Sequence, residues 1–272
     1  MPEPFLVVSG LATIAGEKHG AGPPLVFLHA GVADRRMWRE EMQAFPRFTT
    51  IAYDRRGFGE TLHADETYSH VDDLRAVLDA VAAGEPAVLV GCSQGGRIAL
   101  DFALAVPPLA RALVLVAPAV SGAPQVDEFA PPIQAWIDKM EAAEEASDVD
   151  RINALEAHAW LDGPLQPEGR ISGAARELFL AMNELALRAE KRGEEIEPAS
   201  AYSRLHEVVV PTLVVWGDVD FPHIGARCEH LVRELPNAQA LRLPGAAHLP
   251  NLEDPARFGR ALAAFVNSLP PS

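Results

Sequence analysis

Cysteine is nearly absent. Cys92 and Cys228 are the two in 272 residues, too few for the disulfide framework of a small secreted domain. They fit a reducing compartment without requiring one. Long apolar runs are missing too. No stretch approaches the roughly 20 apolar residues that cross a bilayer. Residues 1–5 lack the basic start and apolar run of a signal peptide. The expectation is a cytoplasmic chain with no membrane association. Basic residues are in short supply: 23 Lys and Arg stand against 38 Asp and Glu, a net charge of −15. Nucleic acid and anionic membrane surfaces would repel such a chain. Internal repeats and low-complexity linkers are also lacking.

What is present points to a globular fold. Hydrophobic residues make up 49% of the chain, enough for a large core and too many for disorder. The length suits one domain, or one domain carrying an insertion, since domains run to about 100–200 residues and α/β folds to about 250. Short β-rich runs lie at 25–28, 50–53, 87–90, 113–116, 213–216 and 240–243. Most are continuously apolar, as strands buried on both faces are. Helical patterns fall between them at 67–82, 94–106, 223–235 and 254–268. This alternation predicts an α/β fold: a mostly parallel, doubly wound sheet with helices on both faces. Residues 5–15 are expected to add an antiparallel hairpin at one edge.

Residues 120–204 break the rhythm. They contain no convincing strand, and helical patterns run near 130–146, 150–160 and 173–192. The segment holds 17 acidic and 8 basic residues, so most of the chain's negative charge sits there. The reading is a helical cap at 120–204 inserted into a core made of 1–119 and 205–272. The bland alternative is an ordinary run of surface helices.

One motif carries chemistry. The apolar run 87–90 leads into Gly91-Cys92-Ser93-Gln94-Gly95-Gly96, and an apolar helix follows. A G-x-S-x-G between strand and helix is a sharp elbow that exposes the serine beyond the carboxyl edge of the sheet. The turn forces the serine into an uncommon backbone conformation, and its neighbours two residues away must be small. Ser93 is therefore the candidate nucleophile. Cys92 reads as buried filler, because it cannot share Ser93's outward direction. Position selects His248 as the base from nine histidines. It lies in the loop after the strand at 240–243, just before Asp254-Pro255 opens the last helix. The run at 213–216 ends in Gly217-Asp218-Val219-Asp220, which supplies the orienting carboxylate. Asp220 is taken as that acid, with Asp218 as the competing residue and otherwise a turn or cap.

Together with His29-Ala30-Gly31 and Asp54-Arg55-Arg56-Gly57-Phe58-Gly59, these segments resemble the α/β-hydrolase superfamily in content and order. The likeness covers about 5–118 and 206–268. It implies a serine hydrolase with a Ser93–Asp220–His248 triad and no cofactor. It also implies an oxyanion hole from the backbone N–H of Gln94 and of Gly31, with Val32 as the alternative to Gly31. Ala30 departs from the family's glycine there, and its extra methyl bears on the loop. His29 resembles a structural histidine of the family.

Ester hydrolysis is the leading activity implied, on a small-molecule ester or lactone. Enol-lactone hydrolysis, carbon–carbon bond hydrolysis and cofactor-free perhydrolysis use the same parts. Dehalogenases and epoxide hydrolases place aspartate where this chain has Ser93. From another class, a ligand-binding protein would keep the fold with little turnover. Trp160 in the cap either walls the substrate pocket, together with Val32, or packs at a helix end. His223, Cys228 and His230 share one helix with no second cluster, so no metal is expected. The acidic cap predicts a preference for neutral esters, unless Arg151, Arg170, Arg176 or Arg188 receives a carboxylate. A homo-oligomer is compatible with the sequence, which does not fix the assembly.

Overall fold

The computed structural model describes residues 2–126, 128–190 and 193–270. Expectations that reach positions 1, 127, 191, 192, 271 or 272 lie outside the described residues there. Eight strands form one sheet in the order β1-β2-β4-β3-β5-β6-β7-β8. β1 (Glu3–Ser9) and β2 (Ala12–His19) make the antiparallel edge hairpin. β2 then pairs antiparallel with β4 (Thr49–Tyr53), and every later pairing is parallel. The parallel strands are β3 (Pro24–Leu28), β4, β5 (Ala87–Cys92), β6 (Ala110–Val116), β7 (Thr212–Gly217) and β8 (Ala238–Leu243). β3, β5 and β7 are buried along their whole length. Their continuous apolar runs follow from helices covering both faces.

After a single turn of tight helix at Arg35–Trp38 comes α1 (Arg39–Ala44). α2 (His70–Val81) and α3 (Gln94–Ala105) follow β4 and β5. Between β6 and β7 lie α4 (Pro131–Glu145), α5 (Val149–Glu156) and α6 (Ala174–Leu187). α7 (Pro222–Glu234), the short α8 (Pro250–Glu253) and α9 (Pro255–Ser268) complete the chain. One core layer packs α2, α3 and α7 on the sheet through Leu74, Leu78, Leu100, Phe102, Cys228 and Leu231. The opposite layer packs α1 and α9 through Met42, Phe258, Leu262 and Phe265. There Trp38 sits between Phe27 and Phe258, at ring separations of 5.3 and 6.0 Å.

Three helix boundaries differ from the sequence pattern, each for a local reason. α2 starts at His70, not 67. Tyr68 exchanges backbone hydrogen bonds with Glu194 and Ile196, and Ser69 Oγ accepts from Asp72 N as the cap. α6 ends at Leu187 because residues 188–190 are all exposed and offer no apolar face to bury. The helix expected over 150–160 changes at Ala157. Residues Ala157–Asp162 widen into π-type turns that stop at Gly163, where φ is 97°. Such turns frequently occur at functional sites.

Candidate active site

The strand ends at the carboxyl edge of the sheet bring the candidate residues together. Ser93 joins β5 to α3 with φ 53° and ψ −115°. A positive φ outside glycine costs on the order of 1–3 kcal/mol and persists only when the surroundings over-determine it. Here Ser93 N donates to Val116 O at 2.9 Å, and Ser93 O accepts from Arg97 N and Ala119 N. The glycines on either side leave no room for side chains. A Cβ on Gly91 would lie 2.2 Å from Gly95 O, and one on Gly95 would lie 2.1 Å from Leu28 O. Ser93 itself is half-buried, whereas Cys92 is fully buried and its thiol is pushed up by burial.

His248 and Asp220 are both buried, at 2% and 8% exposure. His248 Nδ1 lies 2.7 Å from Asp220 Oδ2. The other oxygen of Asp220 accepts from Phe221 N at 2.7 Å. That pairing puts the imidazole proton on Nδ1 and leaves Nε2 as the basic nitrogen. Cys92 Sγ lies 3.6 Å from His248 O, so the histidine loop sits against the residue before Ser93. No hydrogen bond joins Ser93 Oγ to His248 among the described residues. Substrate-free catalytic pairs are often loose in this way. Asp218 serves elsewhere: its Oδ1 accepts from Gly245 N at 2.6 Å and fixes the start of the histidine loop.

The N–H of Gln94 belongs to the first turn of α3, where helix geometry leaves amides without an acceptor. Gly31 lies against the Gln94 side chain, since a Cβ there would come 3.0 Å from Gln94 Cδ. Ala30 is completely buried, so its methyl fits the core, and its O accepts from Ala33 N. His29 is locked: Nδ1 donates to Ala30 O at 2.8 Å and Nε2 accepts from Arg55 N at 3.0 Å. Val32 is half-buried against the core.

Sequence reasoning gave Arg55 no role, yet it is one of the largest buried side chains. It donates to Gln94 Oε1 at 2.9 Å and to Ala30 O at 3.1 Å, tying the two loops together. Its signal in the sequence was a charged run, Asp54-Arg55-Arg56, directly after the strand that ends at Tyr53. The segment between β6 and β7 contributes Trp160, whose ring lies 4.7 Å from that of His248 and 4.9 Å from that of Phe221. A cleft of about 340 Å³ runs from Gly31 and Phe58 to Glu156, Asn183 and Glu190. Burial pushes the Glu156 carboxyl up, and Asn183 Nδ2 donates to it at 2.6 Å. Of the arginines between β6 and β7, Arg170 pairs with Glu253, Arg176 with Asp162, and Arg188 with Glu184 and Asp150. Arg151 is exposed on α5.

A model of the alpha/beta hydrolase family matches residues 25–261. Among curated proteins, 2-(acetamidomethylene)succinate hydrolase of Mesorhizobium japonicum is 26% identical over 95% of this chain and 93% of its own length. The pimeloyl-[acyl-carrier protein] methyl ester esterase of Aeromonas hydrophila is 26% identical, covering 93% and 99%. Among solved structures, an esterase from Rhodococcus sp. superposes with a TM-score of 0.76 at 26% identity, covering 99% of each chain.

Proposed function

Because the chain belongs to the alpha/beta hydrolase family, we propose that it hydrolyses small carboxylic esters through an acyl-enzyme on Ser93. Ser93 Oγ attacks the ester carbonyl carbon while His248 Nε2 takes its proton. Asp220 holds the Nδ1–H and stabilises the imidazolium that forms. Negative charge gathers on the carbonyl oxygen, which the N–H groups of Gln94 and Gly31 receive. One such donor is typically worth about 3 kcal/mol in the transition state. The imidazolium then protonates the departing alkoxide. Water, deprotonated by the same imidazole, releases the acid and restores the serine. Every atom in this cycle comes from the protein, the ester or water.

The observation that carries the reading is a serine held at φ 53° at the head of α3, with a buried His248–Asp220 pair of 2.7 Å at the same sheet edge. Esterases among the relatives support the choice of ester over other acyl substrates. The helices between β6 and β7 act as a cap, supported by the contact of Trp160 with His248. No described helix is long and apolar enough to cross a membrane.

The test is release of p-nitrophenol from p-nitrophenyl acetate. Sustained release that Ser93→Ala lowers by several orders of magnitude is expected. A single stoichiometric burst would instead mark a binding protein. Undiminished turnover by Ser93→Ala would remove Ser93 from the mechanism.

A further inference from the structure

Resting on the roles given above to Ser93, His248 and Asp220, we infer that Arg170 and Glu253 form a positioning pair that holds the catalytic histidine and the cap's Trp160 in register. Arg170 lies in the cap, between the π-type turns and α6, and Glu253 ends α8 beyond the histidine loop. The Arg170 guanidinium reaches both sides. Toward the cap, Nε donates to Asp162 O at 2.6 Å and Nη2 to Leu161 O at 3.0 Å. Toward the core, Nη1 donates to Gly245 O at 2.9 Å and Nη2 to Glu253 Oε2 at 2.6 Å. The second oxygen of Glu253 accepts from Ala247 N at 2.7 Å. Ala247 is the residue before His248, and Leu161 is the residue after Trp160.

The pair is itself held. Asp162 is fully buried, and its carboxylate accepts from Gly169 N and Ile171 N, both at 2.8 Å. These amides flank Arg170 on either side, so the arginine leaves its loop in a fixed direction. Arg176 adds a charge partner to the same carboxylate at 2.8 Å. Asp162 thus sets Arg170, and Arg170 and Glu253 set the loop that carries the imidazole. The planar fork of arginine meets this geometry, whereas lysine offers one point charge. A base displaced by 1 Å loses about 100-fold in rate. Neither Arg170 nor Glu253 lines the cleft beside Gly31. The effect therefore falls on kcat and spares KM.

The experiment measures kcat and KM with p-nitrophenyl acetate for the full chain carrying Arg170→Gln, Arg170→Lys or Glu253→Gln. Each is assayed well below its melting midpoint, with Arg188→Gln on the cap surface as control. The expected result is a kcat loss of roughly 100-fold for Arg170→Gln and Glu253→Gln, with KM within twofold of wild type. Arg170→Lys, which keeps the charge and the fold, is expected to lose about 10-fold, and the control nothing. In the Arg170→Gln/Glu253→Gln double variant the loss stays near that of one single variant, because the two act as a unit. Unchanged kcat in all three variants, a rise in KM alone, or additive losses in the double variant would overturn the pairing while leaving the ester reading intact. A wild-type protein that neither turns over the ester nor takes a fluorophosphonate on Ser93 would sink that reading, and this one with it.

Discussion

Ser93 keeps an unfavourable φ of 53° because both of its backbone polar groups are bound to the strand and loops around it. Local bonding also separates the two candidate aspartates. Asp220 binds the imidazole and Phe221 N, whereas Asp218 binds Gly245 N. Asp220→Asn would present an amide to Nδ1 and favour the wrong histidine tautomer, an effect of about 10⁴ in the serine-protease case. Asp218→Asn keeps an oxygen for Gly245 N, so its kcat should fall by roughly 10-fold or less. Equal losses, or the reverse order, would move the acid to Asp218. Glu41 offers a different test. It is 2% exposed, neither carboxyl oxygen has a partner among the described residues, and burial pushes its pKa up to about 8. The folded state then holds the proton that the unfolded chain gives up above its ordinary value near 4.5. Stability is fully present below that value and is lost as pH rises toward 8. Glu41→Gln removes the titration. The Tm of the variant minus that of wild type should therefore grow between pH 5 and pH 9, and a pH-independent difference would contradict the argument.

The elbow between β5 and α3 depends on two glycines whose hydrogens face backbone. A Cβ on Gly95 would sit 2.1 Å from Leu28 O, with no flexible side chain to give way. Gly95→Ala should cost roughly 3 kcal/mol or more and lower Tm by several degrees. A Cβ on Gly259 in α9 would meet nothing within 4 Å, so Gly259→Ala should instead gain up to about 1 kcal/mol from helix propensity. Differential scanning calorimetry of both variants checks the contrast, and similar Tm values would contradict it. Elements such as β3, β5 and α3 were legible in the sequence because burial on two faces and a G-x-S-x-G turn leave strong local patterns. Less legible were α1, which has six residues, and the π-type turns at Ala157–Asp162. Within the latter, Trp160 packs against Phe221 and His248, residues remote in sequence.

Across the whole molecule, the strand ends at 93, 220 and 248 could be placed on one edge from chain order alone, since parallel crossovers put all three at the carboxyl side. The ties that fix them could not. Arg170 meets Glu253 across 83 residues and Gly245 across 75, and no local pattern marks either partner. The same pairing bears on substrate charge. Three of the four arginines between β6 and β7 considered as carboxylate receivers pair with the protein's own acids, and the wall of the cleft beside Gly31 carries Glu156 and Glu190. A neutral short-chain ester should therefore show a higher kcat/KM than its analogue with a free carboxylate. The gap should narrow at moderate salt, where screening acts over about 8 Å. Faster turnover of the anionic analogue at both salt levels would contradict this and favour a lactonase. The central claim, that Ser93 is the nucleophile of an acyl-transfer site, is tested most directly by intact-mass and peptide mapping after treatment with a fluorophosphonate. The account predicts one adduct per chain, located on Ser93 and lost in both Ser93→Ala and His248→Ala; an adduct on another residue, or none while ester turnover persists, would contradict it.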